Sequence, residues 1–168
     1  YQETPAELST AEISEIVEAF GEGARRPRDW GFDGVQLHGA HGYLINQFLS
    51  PLANRRTDAY GGSIENRCRF LMEVYQRVRE KVGPDFPVMI KLNAADNLAG
   101  GLSPDEALVA ATKLSAAGID AIEVSAGTPA SGKESPVRAD IDAAEKEAYN
   151  LQLAKAIKMA VRCPVMVV

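Results

Sequence analysis

Apolar residues follow two different patterns along the chain, one typical of helices and one typical of strands. Segments with these two patterns alternate. Apolar residues spaced three and four apart predict helices over 9–26, 63–83, 103–117 and 143–161. Short apolar runs between turn-forming residues predict strands at 34–38, 87–92, 120–125 and 164–168. Helices that alternate with strands are typical of a parallel sheet with right-handed crossovers. The pattern therefore predicts an α/β fold.

Capping sequences indicate where several of the predicted helices begin and end. A serine followed three residues later by glutamate is a capping-box pattern, which occurs at Ser9 with Glu12 and at Ser103 with Glu106. Gly83 is expected to end the second helix. Pro27 is expected to end or kink the first helix near Arg26, because proline lacks a backbone N–H and its ring clashes with the preceding turn.

The first three predicted strands each have one apolar and one polar face. Successive side chains of a strand point to opposite faces. The apolar face carries Val35, Leu37, Ile90, Leu92, Ile122 and Val124, and the polar face carries Gln36, His38, Met89, Lys91, Asn93, Glu123 and Ser125. A doubly wound sheet buries both faces under helices, whereas a β/α barrel has a polar inner face near its C-terminal mouth. The pattern therefore favours a TIM (β/α)8 barrel.

Four strands make only part of such a barrel. A complete one has eight strands and typically about 250 residues, and the chain ends within the apolar run PVMVV. We therefore expect a single partial barrel domain over 1–168, about half a barrel and truncated at both ends. Either further chain or the pairing of two halves in a homo-oligomer would complete it.

Composition narrows the class of protein. The formal net charge is −5 and the 18 basic residues are dispersed, which argues against nucleic-acid binding. No apolar run approaches the roughly 18 residues of a membrane span, and the first twelve residues contain no secretory signal pattern. Cys68 and Cys163 lie far apart and are interpreted as small buried apolar residues in a reducing compartment. These features predict a cytoplasmic protein that does not bind membranes.

Both histidines of the chain, His38 and His41, lie three residues apart in the segment VQLHGAHGYLINQFLSP. The spacing is compatible with a structural loop, with a zinc site, or with two donors that bind one substrate carbonyl oxygen. A zinc site would need a third ligand, which no nearby cysteine and no HExxH motif supplies, so we expect no metal. Gly39 and Ala40 are small enough to allow a planar ligand to approach closely. The structural loop and the carbonyl site both remain open at this point.

A polar segment follows these histidines. The sequence NRRTDAYGG at 54–62 precedes the second long helix, whose predicted cap is Ser63. Arginine and aspartate can pair within such a loop, and its glycines can form the turn. We therefore expect this segment to be mainly a structural loop.

The run LHGAHGYLINQFLSPLANRRTDAYGGSIENRCRFLMEV resembles the signature of the Old Yellow Enzyme family, the NADH:flavin oxidoreductases. The resemblance continues through PVMIKLNAAD, GIDAIEVSAGT and AIKMAVRCPVMVV. It implies an FMN-containing β/α barrel, of which this chain supplies roughly strands 4 to 7. It further implies an ene-reductase that uses NADH or NADPH to reduce small enones or enoyl thioesters.

The same resemblance implies roles for individual residues. His38 and His41 match the pair that binds the substrate carbonyl, together with Gly39 and Ala40, and Tyr43 matches the proton donor. Two cofactor-binding positions are implied on the inner face of the strands, Lys91 and Gln36. The piece alone is expected to be inactive, because the phosphate-binding region of the family would follow Val168. Two alternatives stay open: a Schiff-base aldolase that uses Lys91, and a non-catalytic half-barrel assembly unit.

Overall fold

The computed structural model of the chain describes residues 6–139 and 141–167. The helices are α1 (Thr10–Asp29), α2 (Leu44–Leu49), α3 (Ile64–Val82), α4 (Pro104–Ala117) and α5 (Leu151–Ala160). The strands are β1 (Val35–Gly39), β2 (Val88–Asn93), β3 (Ala121–Ser125) and β4 (Val165–Val167). Each predicted strand is present to within about two residues, and Val168 lies outside the described residues. No helix in the described ranges has the length and apolar character needed to cross a membrane.

The strands form one parallel sheet in the order β1-β2-β3-β4. A doubly wound sheet reverses its strand order at a switch point, whereas neighbouring strands of a β/α barrel follow one another in sequence. The observed order therefore agrees with the predicted sector of a barrel.

The predicted division of the strands into two faces is confirmed. The strand side chains packed in the core are Leu37, Val88, Ile90, Leu92, Ile122 and Val124. They lie in one cluster with apolar residues of α1, α3 and α4. On the opposite face Gln36 and His38 are exposed, and Lys91 and Glu123 are half-buried. The helices therefore cover one face of the sheet and leave the polar face open.

The predicted capping boxes are also confirmed. Glu12 N–H donates to the Ser9 hydroxyl, and the Glu12 carboxylate accepts from Ser9 N–H. Ser103 and Glu106 make the same two bonds at the start of α4. Gly83 follows the last residue of α3 with a φ of 85°, a conformation that favours glycine.

The end predicted for the first helix is wrong, because α1 continues through Pro27 to Asp29. Within the last turn the missing N–H of proline removes only one helical hydrogen bond. The next turn is closed by Trp30 N–H, which donates to Arg26 O at 3.0 Å. Arg28 also donates from Nη1 to Lys81 O at 2.6 Å, which ties this end of α1 to α3.

The last helix begins later than predicted. Residues Ala144–Lys146 form a 3₁₀ turn, and Ala148 has a φ of 48°, which an α-helix cannot accommodate. Tyr149 donates its hydroxyl to Pro136 O at 3.1 Å, which holds this segment against the loop that follows β3. Tertiary contacts therefore replace the helix that the composition of 143–150 favours.

Two smaller features also differ from expectation. The short helix α2 was not predicted, and its N-cap residue Tyr43 makes no side-chain capping bond. Cys68 is buried as expected, whereas Cys163 is only half-buried.

A buried arginine joins three elements. The Arg67 side chain is 3% exposed and belongs to α3. Its Nε donates to Gly62 O at 3.0 Å, and its two terminal nitrogens bond Leu49 O and the Glu106 carboxylate. Glu106 therefore both caps α4 and neutralises a buried charge.

Glu106→Gln should destabilise the protein by roughly 2 kcal/mol, because glutamine keeps the cap but leaves the Arg67 charge without its counterion. Urea unfolding of the full-length protein measures this change. The matched control is Glu12→Gln, which alters the same capping-box position at the exposed start of α1 and should have little effect. Equal losses of stability in the two variants would contradict the role assigned to Arg67.

Candidate active site

The register of the parallel sheet places three polar side chains in one row on its open face. His38 of β1 is paired with Lys91 of β2, and Lys91 is paired with Glu123 of β3. Lys91 Nζ lies 2.5 Å from Glu123 Oε1, and Gln36 Nε2 donates to Glu123 Oε2 at 2.5 Å. The four side chains therefore form a connected polar surface.

Glu123 is ionised in this arrangement. Burial raises the pKa of its carboxyl, but the hydrogen bonds from Lys91 and Gln36 outweigh burial and lower the pKa below its ordinary value. The Lys91 charge is thereby balanced within the surface.

A tight turn brings His41 back towards His38. His41 has a φ of 62° and Gly42 a φ of 77°, so two successive residues adopt the left-handed conformation in the turn that follows β1 and Ala40. The two imidazole rings meet with centroids 5.2 Å apart and an interplanar angle of 88°. A left-handed conformation at a non-glycine residue costs about 1–3 kcal/mol and is common where a side chain serves a function.

Tyr43 completes an aromatic cluster at this end of β1. Its ring centroid lies 4.8 Å from that of His38, and the residue is 61% exposed. The structure thus brings together His38, His41 and Tyr43, as the sequence predicted. The phenol is open to a ligand that approaches the imidazoles.

Both imidazoles are neutral at pH 7. Partial desolvation of the His38 ring against its neighbours lowers its pKa although the residue is exposed, and the nearby Lys91 charge lowers the pKa further, while Glu123 acts in the opposite direction. Burial lowers the pKa of His41, and the charges of His38 and Lys91 lower it further. The Glu123 carboxylate acts in the opposite direction. A neutral imidazole has one N–H donor and one acceptor nitrogen. Each ring can therefore donate one hydrogen bond to a ligand.

The glycine and alanine between the histidines have a structural role. Both are buried, and a Cβ at Gly39 would lie 2.9 Å from Ile90 Cδ1 and 3.1 Å from Lys91 O. A side chain at position 39 would therefore displace the end of the Ile90 side chain and crowd the Lys91 carbonyl of β2. The predicted contact of Gly39 and Ala40 with a substrate stays a prediction.

Buried polar residues that the sequence did not single out surround the turn at His41. Asp96 accepts hydrogen bonds from Asn46 and Asn93, and the Ser125 hydroxyl lies 2.7 Å from His41 Nε2. Strand parity placed Asn93 and Ser125 on the polar face but indicated no partner. The Asn-Ala-Ala-Asp spacing after β2 is a turn signal that could have pointed to Asp96.

The segment 54–62 is the structural loop that was predicted. Arg56 pairs with Asp58 at 2.5 Å and donates to Leu8 O at 2.6 Å. Asn54 Nδ2 donates to two backbone carbonyls, each at 2.7 Å. Only glycine fits at position 61, because a Cβ there would lie 2.0 Å from Arg56 O.

Within residues 6–139 and 141–167, no three acidic, histidine or cysteine side chains are grouped to bind a metal ion.

Comparison with known proteins gives consistent matches. The model of the NADH:flavin oxidoreductase / NADH oxidase family matches residues 1–168. The chain is 48% identical over 124 residues to an NADPH dehydrogenase of Geobacillus sp. (strain WCH70), covering 74% of the chain and 36% of that protein. It is 42% identical over 164 residues to an NADH oxidase of Thermoanaerobacter brockii, covering 98% of the chain and 25% of that protein.

A solved structure supports the same grouping. The complex of 2-naphthoyl-CoA reductase with 2-naphthoyl-CoA superimposes with a TM-score of 0.85 and 37% sequence identity, over 96% of this chain and 24% of that one. The chain thus spans between 24% and 36% of the length of these three proteins. Together with the strand order, the match confirms the predicted partial (β/α)8 barrel.

Lys91→Gln should raise the pKa of both histidines, because it removes a positive charge that opposes protonation of each imidazole. NMR titration of the histidine Cε1 protons in the full-length protein measures both midpoints. The variants His38→Asn and His41→Asn each remove one signal and so assign the two resonances. Lys113→Gln on α4 is the control and should shift neither midpoint. Unchanged midpoints in Lys91→Gln would contradict the polar row described above.

Proposed function

Because this chain belongs to the NADH:flavin oxidoreductase / NADH oxidase family, the Old Yellow Enzyme family, we propose that the whole protein is an FMN-dependent ene-reductase. Its reductant is NADH or NADPH, and its substrate is a small enone or enoyl thioester with an activated C=C bond. The observation that carries the proposal is the convergence of two neutral imidazoles and one phenol at the mouth of the barrel sector.

The donors on the inner face are suited to a flavin. The Lys91 ammonium and the Gln36 amide both donate to Glu123 on the open side of the sheet, and each group has further N–H donors for a ligand. A cation and an amide donor suit the polar edge of a flavin ring, where negative charge accumulates on reduction. We propose that both residues bind FMN there. When bound, FMN supplies the redox chemistry, passing a hydride from NAD(P)H to the substrate.

The two histidines would bind the carbonyl oxygen of the substrate. Ring centroids 5.2 Å apart are close enough for one N–H group of each ring to reach a single oxygen atom. Two such donors withdraw electron density from the conjugated C=C bond and stabilise negative charge on the oxygen. One donor to a developing oxyanion is worth about 2.7–4 kcal/mol in other enzymes.

Tyr43 would donate the proton that completes the reduction. Its phenol lies beside His38 and is accessible to a ligand held by the imidazoles. We propose that its O–H protonates the α-carbon after the hydride has reached the β-carbon.

The Schiff-base alternative receives no support from Lys91. Its Nζ lies 2.5 Å from Glu123 Oε1 and donates to that carboxylate, so the nitrogen is not free to attack a carbonyl carbon. The assembly-unit alternative does not account for the clustering of His38, His41 and Tyr43 at one strand end.

We further propose that the protein acts in the cytoplasm. Cys68 and Cys163 are both free, which is typical of a reducing compartment. Burial raises the pKa of the Cys68 thiol to about 11, so this cysteine is unreactive there. The homo-oligomer considered from the sequence stays a prediction.

The purified full-length protein should show the visible absorption of bound FMN, released on denaturation, and NADH or NADPH should bleach it. Identification of the released cofactor by mass is the direct measurement. A protein that remains colourless after reconstitution with FMN would contradict the proposal.

Tyr43→Phe should slow reoxidation of the reduced protein by an enone by about 10²-fold or more, because the proton donor is lost. Reduction by NAD(P)H should be nearly unchanged, because no proton from Tyr43 is needed in that half-reaction. Stopped-flow absorption measures the two half-reactions separately.

The control for this variant is Tyr75→Phe, which removes a phenol that bonds Ala117 O on the helix side of the sheet. It should leave both half-reactions at wild-type rates. Equal slowing of both half-reactions in Tyr43→Phe would rule out the proton-donor role.

A further inference from the structure

His41 is held from two sides by polar groups that are themselves buried, Ser125 and the network around Asp96. We propose that Ser125 and Asp96 are positioning residues for His41: Ser125 selects the tautomer of its ring, and Asp96 fixes the backbone turn that carries it. The inference rests on the proposed function, in which His41 donates to the substrate carbonyl.

Ser125 is placed to fix which ring nitrogen faces the substrate. It is 2% exposed at the end of β3, and its Oγ lies 2.7 Å from His41 Nε2. This bond occupies Nε2 and leaves Nδ1 as the nitrogen available to a ligand. Because Ser125 is buried, water does not compete for the bond.

The direction of that bond follows from hydrogen-bond accounting. His41 is the one partner recorded for Ser125 Oγ among the residues that the structure describes. If the hydroxyl accepted from Nε2–H, its own hydrogen would be buried without an acceptor, which costs about 1–3 kcal/mol. If it donates to Nε2, only an oxygen lone pair is unused. Ser125 is thus assigned as the donor, and the proton of the neutral ring is assigned to Nδ1.

Asp96 acts on the backbone of the same residue through two side-chain amides. Its carboxylate is 2% exposed and accepts from Asn93 Nδ2 at 2.8 Å, from Asn46 Nδ2 at 3.1 Å and from Leu102 N at 2.8 Å. A carboxylate can only accept, so both asparagines must turn their NH₂ groups towards it. Their oxygens consequently point away from Asp96.

Those two oxygens face consecutive N–H groups of the left-handed turn. Asn46 Oδ1 accepts from Gly42 N at 2.6 Å, and Asn93 Oδ1 accepts from His41 N at 3.5 Å. These are the residues whose φ values are 62° and 77°. A strained turn persists only where surrounding contacts determine it. Asp96 thereby orients the Asn46 amide, and it orients the Asn93 amide together with Ala95 O, which accepts from Asn93 Nδ2 at 3.0 Å.

The first test concerns the His41 tautomer in the full-length holoprotein, without any substrate. Long-range ¹H–¹⁵N NMR distinguishes the Nδ1–H form from the Nε2–H form, and His41→Asn identifies the signals. The wild type should show the Nδ1–H form, and Ser125→Ala should convert it, wholly or in part, to the Nε2–H form. Ser115→Ala on α4 is the control and should change nothing.

An Nε2–H tautomer in the wild type, or an unchanged tautomer in Ser125→Ala, would overturn the inference. Enone reoxidation is measured on the same samples. A changed tautomer with an unchanged rate would support the positioning by Ser125 and would instead contradict the substrate contact proposed for His41. The two claims can therefore fail separately.

The second test is Asp96→Asn, which keeps the size of the side chain but must turn an NH₂ group either towards Leu102 N–H or towards the amides of Asn46 and Asn93. It should raise KM for the enone and slow reoxidation by about tenfold to a hundredfold, approaching the loss of one donor. Reduction by NAD(P)H should be retained, and the His41 NMR signals should become multiple or broadened. Wild-type His41 signals and enone kinetics in a folded Asp96→Asn variant would overturn the role of Asp96.

Discussion

The parallel register between β1, β2 and β3 is the constraint from which the site follows. Leu37, Ile90 and Ile122 are aligned across the three strands and buried against the helices, and each such side chain contributes about 1.5–3 kcal/mol by leaving water. Because side chains alternate along a strand, a slip of one residue would expose the entire apolar row. The next residues along the strands must therefore share the opposite face. The register that buries the apolar row therefore also aligns the polar row on the opposite face.

The turn after β1 adds what the sheet alone cannot supply. The end of β1 places only one imidazole, that of His38, on the open face. A second imidazole from the same segment can reach it only if the chain turns back after the strand. The left-handed pair His41 and Gly42 achieves this, and a buried network centred on Asp96 maintains it. The strain therefore lies in the loop, and the rigid support lies in the core behind it. This division is typical of sites built on β/α barrels.

Sequence reasoning recovered what periodicity and capping encode. The two strand faces and the capping boxes at Ser9 and Ser103 follow from local spacing. Contacts between distant segments have no such signal: Asn46 and Asp96 are 50 residues apart, and neither lies in a periodic pattern. Pro27 and Ala148 show the same limit, since tertiary hydrogen bonds there override the local preference of the chain. The positions of the site residues were thus predictable, whereas their supports were not.

The central claim is that the two histidines bind the substrate carbonyl beside the flavin. The most direct measurement is a crystal structure of the full-length protein with FMN and an unreactive carbonyl analogue of an enone. The proposal requires the ligand oxygen to lie within about 3.2 Å of a ring nitrogen of both His38 and His41, with Nδ1 as the contacting atom of His41. A carbonyl oxygen bound elsewhere, with both imidazoles left free of the ligand, would contradict it.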